Sequence, residues 1–239
     1  NTSLELKKMI KKSLLFVLLN FSLLLQAQEK NHIGIDPFSP VFGTIQVHYE
    51  RGINENMSLS LSLGFKASSG VFKLSGLETE KIITDDFNFK GIKIIPEYRW
   101  YFQNQGLSGF FTGAYFKYQN YTNAIDGSYI DNASETNTID LEGKIKTVAL
   151  GLQLGYKLIV KKQFFIDFLI IGPGLSFNTF EIKENAPIPD GFYNDLSEAI
   201  SNYGIFGFID TNFKIDANQK SAAKMLPAFR YGIKLGYRF

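Results

Sequence analysis

The sequence predicts an all-β fold: an eight-stranded antiparallel up-and-down transmembrane β-barrel, with a short helix in its last long connection. Three observations carry this. Apolar residues recur at every second position from Asn31 onward. Short turns alternate with long polar connections, and aromatic residues gather at both ends of the apolar face. Period two marks strands, and the other two features are habits of barrels that cross a bilayer.

The segment before Asn31 stands apart. Met9, Ile10, Lys11 and Lys12 form a basic head, and Ser13 to Leu25 is almost wholly apolar. Leu25, Gln26 and Ala27 then offer small-residue cleavage chemistry before Gln28. That is the layout of a secretory signal. A spanning helix is the alternative, but it needs roughly 18 or more apolar residues. Residues 1–27 are therefore expected to be upstream residues and a cleaved signal peptide, with Met9 as initiator, and 28–239 the barrel domain.

The strands are expected at 31–37, 43–52, 56–66, 90–102, 108–120, 143–159, 163–177 and 226–239. The alternation is strictest at Met57, Leu59, Leu61, Leu63 and Phe65, and again at Val148, Leu150, Leu152, Leu154 and Tyr156. Short turns fall at 53–55, 103–106 and 160–162; long polar connections fall at 67–89, 121–142 and 178–225. With the last strand running toward the short-turn side, parity requires an outward strand before 43–52, so Asn31 to Pro37 completes eight. Pro37 and Pro40 limit its ladder bonds. Gly172, Pro173 and Gly174 mark a bulge or bend. In the last connection Leu196, Ile200 and Tyr203 share a helical face, predicting a helix over about Asn194 to Ile209, over the barrel mouth or on the membrane surface.

A soluble barrel would put the apolar face inside. Aromatic residues argue for the reverse. Tyr49, Trp100, Phe102, Phe110, Tyr156, Phe164, Tyr237 and Phe239 lie at short-turn ends on the apolar face, and Phe65, Phe89, Tyr118, Phe177 and Phe229 toward the other end. Two aromatic belts around an aliphatic band match two membrane interfaces. The opposite face carries Gln46, His48, Glu50, Lys93, Glu97, Arg99, Lys117, Lys157, Asp167, Arg230, Lys234 and Arg238. Eight strands leave a lumen that side chains just fill, so these are expected to form a packed charge network. Tyr231, Ile233, Leu235, Tyr237 and terminal Phe239 look like the recognition signal of the outer-membrane insertion machinery.

Charge excludes a nucleic-acid partner. Four of the 25 basic residues and one of the 23 acidic ones lie in 1–27, so the remainder holds 21 and 22, a net of −1. Cysteine is absent, which excludes disulfides, thiolate metal sites and Cys nucleophiles. No cofactor, metal or catalytic residue is expected. His48 beside Glu50 invites a catalytic reading, but a histidine hydrogen-bonded in the charged lumen accounts for it better. Glu50, Glu97 and Asp167 share their face with so many bases that ion pairing explains them better than acid–base chemistry. Asp126, Asp131, Glu135, Asp140 and Glu142 lack the ordered spacing and turn glycine of a calcium loop.

Two stretches carry a family resemblance. One is Tyr49, Glu50, Arg51, Gly52, a turn and Met57 to Phe65; the other is Pro96 to Phe102, a turn and Gly109 to Tyr115. They resemble an uncharacterised outer-membrane barrel family of the Bacteroidetes, a domain of unknown function, similar in architecture to small OmpA/OmpX-like barrels. The resemblance implies the eight-stranded fold over most of the chain and brings no activity with it. Two functions are expected from it and the residues together. The first is a non-enzymatic integral outer-membrane protein, structural or binding an extracellular ligand through its long loops. The second is a lipid-modifying enzyme of deacylase or acyltransferase type. Outer-membrane lipid and the insertion machinery are the expected partners.

Overall fold

A computed structural model of the chain describes residues 30–67, 70–71, 73–103, 106–189, 191–202 and 220–239. The expected signal segment 1–27 lies outside them. Nine strands follow the chain: β1 (Asn31–Ile35), β2 (Thr44–Gly52), β3 (Met57–Lys66), β4 (Ile82–Thr84), β5 (Lys90–Tyr101), β6 (Gly109–Ile130), β7 (Thr136–Val160), β8 (Phe164–Glu184) and β9 (Ser221–Arg238). One helix, α1, spans Phe192–Asn202, and a 3-10 turn spans Ser39–Phe42.

Eight of the strands form a closed antiparallel ring, β1-β2-β3-β5-β6-β7-β8-β9, sealed by β9 against β1. The eight strands expected from parity are all present, including the short first one. It stops at Ile35 rather than Pro37, because Asp36 turns the chain by accepting bonds from the N–H groups of Phe38 and Ser39. β4 lies off the ring, paired to β6.

Register fixes the tilt. Starting at Leu235 and stepping through Ile35, Val47, Leu63, Ile94, Tyr118, Val148 and Phe177, one returns to β9 at Met225, a stagger of ten residues. With about 3.3 Å per residue and about 4.8 Å between strands, this gives a tilt of about 41°. Register slips once in β8, around Ile170 and Ile171, next to the expected Gly172–Gly174 bend.

The alternation resolves into two faces. Leu59, Leu61, Leu63, Leu150, Leu152 and Phe177 point outward and are exposed, while Ser58, Ser60, Ser62, Glu97, Arg99 and Gln153 point inward and are buried. At the short-turn end the outward face carries a ring of aromatics. Trp100 meets Phe102 (5.2 Å), Phe110 meets Tyr156 (4.8 Å), and Phe164 meets Tyr237 (5.6 Å). Ten residues separate Phe229 on β9 from Phe239 just past its end, so the apolar band stands about 25 Å tall at this tilt.

The long connections differ from expectation. Residues 121–142 are not an irregular loop: β6 and β7 run on as one ladder to Ile130↔Thr136. β8 likewise continues to Glu184 and β9 begins at Ser221. These extensions carry polar residues on the outward side, so the apolar alternation that marks the lower strands fades while the backbone pairing persists. Their inward side turns apolar instead. Tyr129, Ile139 and Leu141 are buried there with Leu77 and Ile82, and α1 docks on them through Phe192, Tyr193, Leu196 and Ala199. α1 thus packs on the inner side of the projecting sheet. It starts two residues before the expected Asn194, and the remainder of the expected helix, to Ile209, lies outside the described residues.

Candidate functional site

The inward face of the lower barrel gathers the chain's most buried charges, and strand parity explains why. Every second residue of β2, β5, β7, β8 and β9 points to the lumen, so His48 and Glu50, Glu97 and Arg99, Lys157, Asp167, Arg230 and Lys234 converge from five strands. Lys157, Asp167 and Lys234 form one cross-strand row.

Arg99 is the hub. Its Nη1 donates to Asp167 Oδ2 (2.6 Å) and Glu50 Oε2 (3.3 Å), and its Nε and Nη2 donate to Glu97 Oε2 (2.9 and 2.5 Å). Its guanidinium also lies over the Phe111 ring, 4.5 Å from the centroid. Lys157 donates to Glu50 and lies 3.0 Å from His32 Nδ1. Arg230 donates to Glu97 Oε1 (2.6 Å), with Lys234 at 3.6 Å. Neutral donors complete the carboxylates' shells. Ser58 and Tyr101 bond Glu50 (2.5 and 2.6 Å), while Ser60 and Gln153 bond Glu97 (3.1 and 3.3 Å). Charges taken from water hold together in this way only when paired and hydrogen-bonded.

Not every expected member joins the bonded network. Lys93 and Lys117 sit on the inward face above it, half-buried. Arg238 lies below, bonding the Lys162 carbonyl (2.5 Å). His32, Tyr101 and Ser58, Ser60 and Ser62 belong to the inner wall without having been singled out as members. Tyr101 was legible by parity, two residues beyond Arg99. His32 was not, because a five-residue strand gives too little alternation to set its face.

His48, Glu50 and Asp167 place one ligand atom each within 4.8 Å of one another, the grouping expected around a metal ion. Arg99 and Lys157 already contact these carboxylates, so a guanidinium and an ammonium hold the position a metal would take. His48 Nδ1 also lies 3.0 Å from Ser62 Oγ, and its Nε2 3.6 Å from Glu50. This lines up hydroxyl, imidazole and carboxylate, with Lys234 3.4 Å from the same Nδ1.

The family model described as "Protein of unknown function (DUF3575)" matches residues 13–186. The chain belongs to that family. No curated protein and no solved structure matches it. The DUF3575 match spans β1 to β8 and so contains Glu50, Glu97, Arg99, Lys157 and Asp167, whereas Arg230 and Lys234 lie beyond it.

A second polar cluster clamps α1 to the projecting sheet of this DUF3575 chain. Asp195 accepts from Lys81 Nζ (3.0 Å) and from the Tyr129 hydroxyl (2.8 Å), and Tyr193 donates to Glu184. Burial, and then the bond to Asp195, push the Tyr129 phenol up to about 12. Burial and the Glu184 carboxylate raise Tyr193, while bonds from Tyr193 and Lys220 hold Glu184 below the usual carboxylate range. The acids of 121–142, read from the sequence as lacking a calcium loop's spacing, lie along the β6–β7 ladder and its turn. Asp131 caps its own turn, accepting from Ala133 and Glu135 N–H (2.9 Å each), and Asp126 pairs across the ladder with Asp140.

Proposed function

We propose that this protein is an integral outer-membrane barrel without catalytic activity, whose projecting sheet and docked helix offer a binding surface outside the cell. The observation that carries the reading is the sense of the two faces. An exposed apolar band about 25 Å tall, edged by aromatics, suits hydrocarbon and its interfaces, and a charged inner wall suits neither a soluble barrel nor an apolar ligand cavity. Ring closure pairs the strand backbone over the lower barrel, as a bilayer requires. The ion-pair network fills the lower lumen, which argues against an open aqueous channel. The β6–β7 extension rises about 12 residues past Tyr118, or ~30 Å, far enough to meet a partner beyond the membrane surface.

The test is an epitope inserted in the Asp131–Glu135 turn. The reading expects antibody binding to intact cells and the protein in the detergent-soluble membrane fraction. Detection only after lysis, or recovery in the soluble fraction, would overturn it.

The Ser62–His48–Glu50 line-up supports a second reading, an acyl hydrolase or transferase acting on lipid. A serine-directed fluorophosphonate probe separates the two. Labelling lost on Ser62→Ala favours the enzyme, and an unlabelled folded protein favours the binding barrel.

A further inference from the structure

The ring is sealed unevenly. β9 pairs with β1 only from Leu235 to Arg238, and above Leu235 it is bonded to β8 alone. Bond direction alternates along β9. Arg238 N–H donates to Gln163 beside β8 (2.7 Å), while Phe239 N–H donates to Asn31 beside β1 (2.8 Å). The N–H groups of Ile233, Tyr231, Phe229 and Met225 therefore face an open seam, and no backbone acceptor among the described residues takes them. Pro227, midway along, has no N–H to offer. Proline on such an edge disfavours pairing with another strand, so the seam is not built for strand addition. The opposite lip is the Asp36–Gly43 turn, with Phe38 and Phe42 exposed. Tyr231 and Phe229, at 84% and 70% exposure, stand outward on the β9 side.

Behind the seam the lumen changes character. A Cβ added at Gly232 would meet nothing within 4 Å, so space is open there. Gln46, Gly64, Lys93 and Gln119 form one inward cross-strand row. The Lys93 chain crosses Gly64 toward Thr44 of β2, on the seam side. Buried Gln46 leaves its Oε1 without a hydrogen-bond partner. The strand stagger brings Lys117 and Arg230 to about the height of Lys93. Arg230 and Lys234 share Glu97, Asp36 on the lip turn is the carboxylate whose charge acts most on Lys93, and no ion pair to Lys117 occurs among the described residues. Among the described residues six lumen cations (Lys93, Arg99, Lys117, Lys157, Arg230 and Lys234) thus meet four carboxylates (Asp36, Glu50, Glu97 and Asp167), an excess of two positive charges beside open space.

We infer that this upper lumen binds a lipid phosphate monoester, its head group held by Lys93, Lys117 and Arg230 and its acyl chain leaving through the seam between β9 and the Asp36–Gly43 turn. An excess of two positive charges suits a phosphate monoester, which carries about −1.5 to −2 at neutral pH, better than a singly charged carboxylate. The seam supplies the apolar exit such a ligand needs, edged by Phe38, Phe42, Phe229 and Tyr231. The inference rests on the membrane reading only for the source of the ligand.

The test uses the full barrel in a neutral detergent micelle, with dodecyl phosphate, decanoate and inorganic phosphate as probes, read by native mass spectrometry and calorimetry. One dodecyl phosphate per chain is expected. Lys93→Gln with Lys117→Gln should weaken it at least ~10-fold, the loss of charge-assisted bonds. Gly232→Phe, whose Cβ would meet no atom within 4 Å, should block it while the barrel stays folded on a heat-modifiability gel. Inorganic phosphate binding as tightly would overturn the acyl component, and decanoate binding as tightly would overturn the dianion. Binding of dodecyl phosphate undiminished in both variants, or none at all, would overturn the site. Because the assay is independent of cellular location, a soluble protein would refute the membrane reading and leave this result standing.

Discussion

Replacing Arg99 by Met probes the lumen network at its most connected point. Methionine keeps a long apolar stem against Phe111 but removes every bond to three carboxylates. Glu50 retains Lys157, Ser58 and Tyr101, and Glu97 retains Arg230, Ser60 and Gln153. Asp167 fares worst: its Oδ2 bonds Arg99 and its Oδ1 has no hydrogen-bond partner, so the substitution strands a fully buried carboxylate. Removing one member of such a pair costs about 3–5 kcal/mol. Adding Asp167→Asn removes the stranded charge and should return about 1–3 kcal/mol, since residues in one network couple strongly. The assay is urea unfolding of the barrel in lipid vesicles, followed by Trp100 fluorescence and gel mobility. A loss below about 1 kcal/mol for Arg99→Met, or a double variant no more stable than the single, would refute the network as the lower barrel's core.

Three further expectations follow from the same geometry. Leu152, outward and midway along the band on β7, should tolerate Phe, whereas Arg there should cost about 2–4 kcal/mol in bilayer folding; equal stability would mean the faces are reversed. Gly236→Val drives a side chain into the Ile33 carbonyl and the Phe165 ring at the β1–β9 closure, so the variant should stay unfolded in a vesicle-folding assay, and wild-type yield would contradict this closure. On β6 beneath α1, the phenol of Tyr129 is raised from about 10 to about 12. The neutral hydroxyl is the form that the fold favours, so its contribution is complete below pH ~10 and is lost as pH rises through about 12. Absorbance at 295 nm, wild type minus Tyr129→Phe, should place this titration near the upper value, and a midpoint near 10 would show that α1 is not docked there.

The ring of eight was legible because lumen-facing and outward-facing residues alternate along the lower strands, broken only at the β8 slip among the described residues, and because Leu59, Leu61 and Leu63 are large where Ser58, Ser60 and Ser62 are small. Parity alone supplied the first strand, whose five residues carry too little pattern to be read directly. The upward reach of β6 to β9 was not legible. Its outward side reads Asn120, Thr122, Asp126, Ser128, a polar run with the look of a loop, while the pairing that holds it is in the backbone. The network's members followed from facing, but their partners depend on stagger. Nothing in the chain order tells that Arg99 reaches Asp167 or that Lys157 reaches His32. The seam was hidden for the same reason: it exists because β1 ends at Asp36 while β9 continues, a difference in length between strands that lie at opposite ends of the chain.

Trp100, the single tryptophan, lies outward in the lower aromatic ring at 41% exposure. Depth-dependent quenching of its fluorescence in reconstituted vesicles tests the facing of the barrel in a bilayer without any substitution. Lipids carrying a quencher near the head group should quench it strongly, those labelled near the chain end weakly, and aqueous iodide little. Efficient quenching by iodide with none from either lipid would place Trp100 in water and contradict the membrane barrel.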